Sequence, residues 1–133
     1  MNRCREFART LLEKANQDAL ALSHLAANSS IEDWVLGYHA QQAIEKAVKA
    51  VLTHRNIEFP HTHSLQRLIR LLEEQKVRVP GQANELTGLT VFAGALRYED
   101  QPAGEPGPPI DRQRVVASVR HVLRWASEIL DRT

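Results

Sequence analysis

The chain has a single cysteine, Cys4, so it can form neither an internal disulfide nor a cysteine-based zinc cluster. Aromatic residues make up only 5% of its 133 residues. The remaining apolar residues are mostly Ala, Leu, Val and Ile, a balance that favours packed helices over a sheet. Apolar runs are only a few residues long, whereas a membrane-spanning helix needs roughly 20. We therefore predict no membrane span.

Neither sign of charge is in excess, because 17 Lys and Arg residues oppose 16 Asp and Glu residues and leave a net charge of +1. The overall field does not favour a polyanionic partner, so a role in nucleic-acid binding would need a local basic patch. Charged residues are scattered through the first 20 positions, unlike a secretory signal. These features predict one cytoplasmic domain over residues 1–133.

Apolar residues recur three and four positions apart in five segments, which predicts an all-α fold. The connections between most segments are short, and this favours an up-and-down antiparallel bundle. Gly88 and Gly94 weaken the fourth segment. A capping box of Ser29 and Glu32, or its near variant Ser30 and Asp33 one residue later, is expected to begin the second helix, and Thr62 or Ser64 is expected to cap the third. The predicted helices span residues 3–27, 31–55, 64–75, 82–98 and 111–131.

Two further expectations concern the loop and the core. Residues 101–109 hold four prolines and two glycines, which predicts an exposed loop within the single domain. Phe7, Trp34 and Trp125 lie on apolar stripes and are expected to be buried.

A row of polar side chains follows the spacing of one face of the predicted second helix: His39, Gln42, Lys46 and Lys49. This α2 polar face has two interpretations that the sequence leaves open, a ligand site or the hydrogen-bonded seam of a helix dimer. His61 and His63 follow in a His-x-His turn. A third metal ligand is not evident there, so we predict neither a metal ion nor another cofactor.

Three segments together are similar to a known family: YHAQQAIEKAVKA at 38–50, IEFPHTHSL at 57–65 and LRYED at 96–100. They resemble the HEPN domain (higher eukaryotes and prokaryotes nucleotide-binding), and the resemblance covers essentially the whole chain. It implies an antiparallel four-helix bundle with an additional short helix. It also implies a homodimer, often encoded beside a minimal nucleotidyltransferase. Activities in this superfamily range from ribonuclease toxin to non-catalytic nucleotide-binding module.

The resemblance also places a nucleotide or RNA site. In the fold it implies, the end of the fourth helix comes near the second helix, so Arg97 would join the α2 polar face. Cationic groups that converge there favour a phosphate, and Gln42 could bond a sugar or base. The predicted nucleotide- or RNA-binding residues are His39, Gln42, Lys46, Lys49, His63 and Arg97.

The chain departs from the family's ribonucleases. In the family that the chain resembles, the ribonucleases share an Arg that stabilises phosphate charge and a His that transfers protons, with four to six residues between the two. No such His follows Arg97. Two other pairs fit the spacing, Arg55 with His61 and Arg114 with His121, but Pro60 interrupts the first.

Three functions follow from these features. The favoured one is a dimeric nucleotide- or RNA-binding partner of a minimal nucleotidyltransferase, in a system of the toxin–antitoxin kind, without ribonuclease activity. The second is a metal-independent ribonuclease toxin that uses one of the two spaced Arg–His pairs. The third is a non-catalytic structural adaptor, in which the α2 polar face only fixes the register of the dimer.

Overall fold

All regular secondary structure is helical in the computed structural model, which describes residues 3–92 and 110–132. Within these ranges there are five α-helices and one 3-10 helix, and no strand, so the all-α prediction is confirmed. No helix in these ranges is long and apolar enough to cross a membrane. The elements are α1 (Arg3–Ala26), α2 (Asp33–His54), α3 (Leu65–Glu74), α4 (Gly81–Glu85), the 3-10 helix (Leu86–Phe92) and α5 (Arg112–Asp131).

The three long helices α1, α2 and α5 pack against one another, and α2 supplies the largest share of the core. Small residues on α2 allow close approach of its neighbours, and Ala40, Ala43 and Ala47 are fully buried. The start of α1 lies beside the end of α5, where Arg9 pairs with Asp131 at 3.0 Å. Helix α5 therefore runs antiparallel to α1.

The turn between α1 and α2 is held by an arginine from the first turn of α5. The guanidinium of Arg112 donates to the backbone oxygens of Ala26, Asn28 and Ile31, and it pairs with the Asp33 carboxylate at 3.0 Å. Three helices thus meet at one side chain.

Helix α3 begins as predicted. The Ser64 hydroxyl accepts a hydrogen bond from the Arg67 amide at 3.3 Å, which satisfies one of the free N–H groups of the first turn. Leu65, Leu68 and Leu72 are buried, and the Leu65 amide donates to the Thr90 hydroxyl at 3.1 Å. Helix α3 is therefore tied to the 3-10 helix.

The predicted capping box of α2 is wrong. Glu32 is the N-cap residue and makes no capping hydrogen bond through its side chain. The Glu32 carboxylate instead accepts from the Trp34 indole at 2.7 Å. In the preceding turn the Asn28 side chain accepts from the Ser30 amide at 2.9 Å, so a local turn forms where Ser29 was expected to cap.

The fourth predicted helix is also different. Helix α4 ends at Glu85 and continues as a 3-10 helix to Phe92, a change that fits the low helix propensity of Gly88 and the neighbouring threonines. The rest of that prediction, the Pro-rich loop 101–109 and Arg97 all lie outside the described residues. The full four-helix bundle arrangement therefore stays a prediction.

Two aromatic residues that were expected in the core are exposed. Phe7 is 55% exposed because it precedes Ala8, the residue that contacts the core, by about 100° around α1. Trp34 is 37% exposed because it lies in the first turn of α2 and its indole donates to the N-cap residue Glu32, two positions earlier. Trp125, by contrast, is half-buried against the core.

Candidate functional site

The α2 polar face is divided between two carboxylates. The first is Asp18 of α1, whose side chain is 17% exposed. Its two oxygens lie 2.5 Å from Lys46 Nζ and 3.6 Å from His39 Nδ1. His39 and Lys46 are seven residues apart, two turns of one helix, so a single carboxylate from the neighbouring helix reaches both.

The second carboxylate is Glu45, which is only 7% exposed and lies on α2 itself. It lies 2.8 Å from Lys49 Nζ and accepts a hydrogen bond from Gln41 Nε2 at 3.0 Å. His63 Nδ1 lies 3.0 and 3.1 Å from its two oxygens. Residues four apart stack on one helix face, so Gln41, Glu45 and Lys49 form a continuous polar ladder.

The connection between α2 and α3 docks onto this ladder. Gln41 Nε2 donates to the backbone oxygen of His63 at 3.0 Å as well as to Glu45. The Lys49 ammonium lies 5.8 Å from the centre of the Phe59 ring, within reach of a cation–π contact. The Thr62 hydroxyl accepts from the Ser64 amide at 3.1 Å, which shapes the turn just before α3. Both the side chain and the backbone of His63 are thereby held against α2.

In the structure, the predicted binding residues do not form the single row that the sequence predicts but fall into two groups. His39 is grouped with Lys46, Lys49 is grouped with His63, and the half-buried Gln42 lies between the two groups. Arg97, the sixth predicted residue, lies outside the described residues. The two ammonium groups and the two carboxylates compensate one another, so the face offers fixed hydrogen-bond donors with little net charge.

Two buried polar atoms on this face lack a hydrogen-bond partner, His39 Nδ1 and Gln41 Oε1. His39 belongs to the cluster around Asp18, and Gln41 belongs to the cluster around Glu45. An unpartnered buried acceptor costs about 1–3 kcal/mol. Either atom could be satisfied by a water molecule or by a small shift of its neighbours.

The two Arg–His pairs that fit the ribonuclease spacing are not joined by any hydrogen bond or ion pair in the described parts of the chain. The Arg114 guanidinium pairs with Glu85 at 3.1 Å, and both side chains are largely exposed. His121 lies seven residues further along α5, about 10 Å along the helix axis. Arg55 follows the last residue of α2 as its C-cap, whereas His61 follows Pro60 in an exposed part of the connection.

Sequence reasoning missed the role of Asp18. No local signal marks this residue, because its partners are on another helix and their position depends on how α1 and α2 pair. Within residues 3–92 and 110–132, no group of three His, Cys, Asp or Glu side chains could hold a metal ion.

His54, in the last turn of α2, lies near arginines of two helices. Burial lowers the pKa of its imidazole below the usual 6.5, and the positive charges of Arg5, Arg55 and Arg9 lower the pKa further. Positive charge is therefore concentrated at the end of the molecule where α1 begins and α2 ends.

This lowered pKa makes stability depend on pH. Below about pH 6.5 the unfolded chain protonates His54 more readily than the folded chain, so the free energy of unfolding should decrease as the pH falls from about 7.5 to 5.5. Above that range the contribution vanishes. Urea unfolding of His54→Gln should show a smaller decrease than the parent protein. His24→Gln, on an exposed position of α1, is the control, and an equal change in both variants would contradict the assignment.

These features define a small all-helical domain whose central helix carries two organised polar groups on one face. The chain belongs to the HEPN domain family, whose sequence model matches residues 8–130. This family membership indicates a nucleotide- or RNA-related function. No curated protein and no solved structure matches the chain.

Proposed function

We propose that the chain is a homodimeric HEPN module that binds a nucleotide or RNA as the partner of a minimal nucleotidyltransferase, in a system of the toxin–antitoxin kind and without ribonuclease activity. The observation that carries the proposal is the way Asp18 and Glu45 fix the ammonium groups of Lys46 and Lys49. Two of the side chains predicted to bind a ligand are thereby held in place before any ligand arrives.

The donor capacity of these groups supports binding. An ammonium group has three N–H donors, and one carboxylate contact uses only one of them. Lys46 and Lys49 are 28% and 18% exposed, so part of each side chain faces solvent. Gln42 lies between them and can offer an amide donor and an acceptor. A phosphate with an attached sugar or base is a ligand that could use these groups together, with Arg97 as a further cation.

The positions of the Arg–His pairs support the proposed lack of ribonuclease activity. Metal-independent cleavage of RNA needs a cation and a proton-transfer group at one phosphodiester. Arg114 is instead directed to Glu85, and Pro60 separates Arg55 from His61.

The charge balance of the α2 polar face favours a second candidate function, the structural adaptor. Compensated charges suit a buried seam between two protomers.

Binding measurements on Lys46 variants test the proposal. Lys46→Ala should weaken binding of ATP or a labelled oligoribonucleotide about tenfold, because a charge-assisted hydrogen bond is lost and Asp18 is left uncompensated. Arg97→Ala should weaken binding similarly. His121→Ala should leave affinity unchanged. The control is Lys14→Ala on the exposed side of α1. Isothermal titration calorimetry gives the affinities, and light scattering gives the oligomeric state.

A double variant separates direct contact from simple repulsion. Asp18→Asn with Lys46→Ala removes both charges, so affinity should stay low if Lys46 touches the phosphate, and should recover if Asp18 only repels it. Unchanged affinity in Lys46→Ala would instead support the adaptor. RNA cleavage that disappears in His121→Ala would move the protein into the ribonuclease class.

A further inference from the structure

A second polar feature lies at the end of the molecule where α2 and α5 finish. A cleft of about 510 Å³ is bordered by the end of α2, the connection between α3 and α4, and the last turns of α5. Its lining shares no residue with the α2 polar face. We call it the basic cleft, after the four cationic side chains that line it together with Trp125: Arg55, Lys76, Arg78 and Arg132.

The backbone that carries two of these cations is firmly anchored. The Val77 amide donates to the Leu72 oxygen at 2.9 Å, and the Val77 side chain is buried. The Trp125 indole donates to the backbone oxygen of Arg78 at 3.0 Å, which attaches this segment to α5. Lys76 and Arg78, on either side of Val77, are exposed. Their positions are thus set by contacts on both sides of the segment.

The charges of the basic cleft are largely uncompensated. No carboxylate is among its lining residues. Of its four cations, only Arg132 has an ion pair within the described parts of the chain, to Glu128 at 3.8 Å. Lys46 and Lys49 on the α2 polar face differ in this respect, because each has a carboxylate within 2.8 Å. In a chain with a net charge of +1, four cations at one cleft are a strong local concentration.

Helix dipoles account for only part of this cluster. Arg55 and Arg132 follow the ends of α2 and α5, where a positive charge stabilises the helix terminus. Arg78 follows no helix end directly, its side chain is exposed, and only its backbone oxygen accepts from the Trp125 indole. A phosphate-bearing ligand would give these cations the partner that the protein does not supply.

We propose that the basic cleft binds successive phosphate groups, those of a single-stranded RNA or of a nucleoside triphosphate, with Trp125 available to contact a base. Arginine and lysine neutralise phosphates, and an indole at the same place gives a base an aromatic surface. The inference does not require the α2 polar face to bind anything.

A charge-matched pair of variants tests this site. Lys76→Gln with Arg78→Gln should weaken binding of a labelled 12-nucleotide oligouridylate by at least about tenfold, measured by fluorescence anisotropy. The slope of log affinity against log salt should fall by roughly 1.4, because each lost phosphate contact on a single strand contributes about 0.7. The control, Arg67→Gln with Arg70→Gln, removes two exposed charges from α3 and should change neither value much.

Competition with ATP distinguishes the two phosphate sources. ATP should displace the oligonucleotide at micromolar to low millimolar concentration if the cleft accepts a triphosphate, and should fail to do so if only a strand fits. In a Trp34→Phe background, Trp125 is the only tryptophan, so a ligand in the cleft should change its fluorescence. Circular dichroism checks that each variant is folded, and Lys76→Arg with Arg78→Lys should retain binding.

Several results would overturn the inference. Equal losses in the cleft pair and the α3 control would mean that binding follows total charge alone. Unchanged affinity of the folded cleft pair, or no change in Trp125 fluorescence, would leave the cations as stabilisers of helix ends. Measuring Lys46→Ala in the same assay distinguishes the two sites. This variant should not alter the change in Trp125 fluorescence that a ligand in the basic cleft produces.

Discussion

Replacing Glu45 with alanine is expected to lower the free energy of unfolding by about 3 kcal/mol. Glu45 is almost fully buried and is the shared acceptor of Gln41, Lys49 and His63. Removing one member of a buried ion pair typically costs about 3–5 kcal/mol, because the remaining charge is left without a partner. The lower end of that range applies here, since Lys49 keeps some access to water.

Chemical denaturation of Glu45→Ala, Glu45→Gln and Glu58→Ala measures this effect. Glutamine keeps the volume and one acceptor, so it should cost less than alanine. Glu58 is exposed on the α2–α3 connection, and its loss should change stability by less than about 0.5 kcal/mol. Hydrogen exchange at residues 62–65 should also quicken in Glu45→Ala, because the ladder holds His63 against α2. A Glu45→Ala cost no larger than that of Glu58→Ala would contradict the arrangement.

The long helices were predictable because their signal is local. Helices α1, α2, α3 and α5 begin and end within two residues of their predicted bounds, and each carries an apolar stripe with a helical period. The structure of the segment after Gly81 was not predictable in this way. Glycine and threonine weaken its helical preference, so tertiary contacts decide which structure it adopts. The exposure of Phe7 also depends on which neighbours lie beside α1, which the stripe alone does not specify.

The candidate site was predictable to a similar extent. The spacing of His39, Lys46 and Lys49 places them along one helix, and that follows from helical geometry. The carboxylate of Asp18 comes from another helix, so the division of the row into two compensated groups depends on long-range packing. The basic cleft shows the same limit, because its cations come from three separate segments that are ordinary surface positions in the sequence.

Arg112 is a further residue that sequence reasoning missed, although it carried a signal. It is the first residue of α5, where the positive end of the helix dipole disfavours a cation. A basic residue at that position suggests that its side chain is used elsewhere. In the structure it reaches three backbone oxygens and the Asp33 carboxylate of the α1–α2 connection.

Replacing Arg112 with alanine should therefore lower the free energy of unfolding by about 2–3 kcal/mol. The change leaves backbone oxygens of Ala26, Asn28 and Ile31 without their donor. A hydrogen bond to a charged group contributes about 1.5–3 kcal/mol net, and the total stays near one such bond because water can reach these oxygens once the side chain is gone, the exposed Asn28 oxygen first. A melting temperature lower by roughly 6–10 °C should follow for a domain of this size.

Arg112→Lys should recover less than half of that loss, because a single ammonium cannot reproduce the planar fork that contacts several acceptors at once. The control is Arg124→Ala, at an exposed position of α5. Scanning calorimetry of the three variants distinguishes the outcomes. If Arg112→Ala has the same melting temperature as Arg124→Ala, the guanidinium does not hold the α1–α2 turn. If lysine restores full stability, charge alone is sufficient, and the several hydrogen bonds of the guanidinium contribute little.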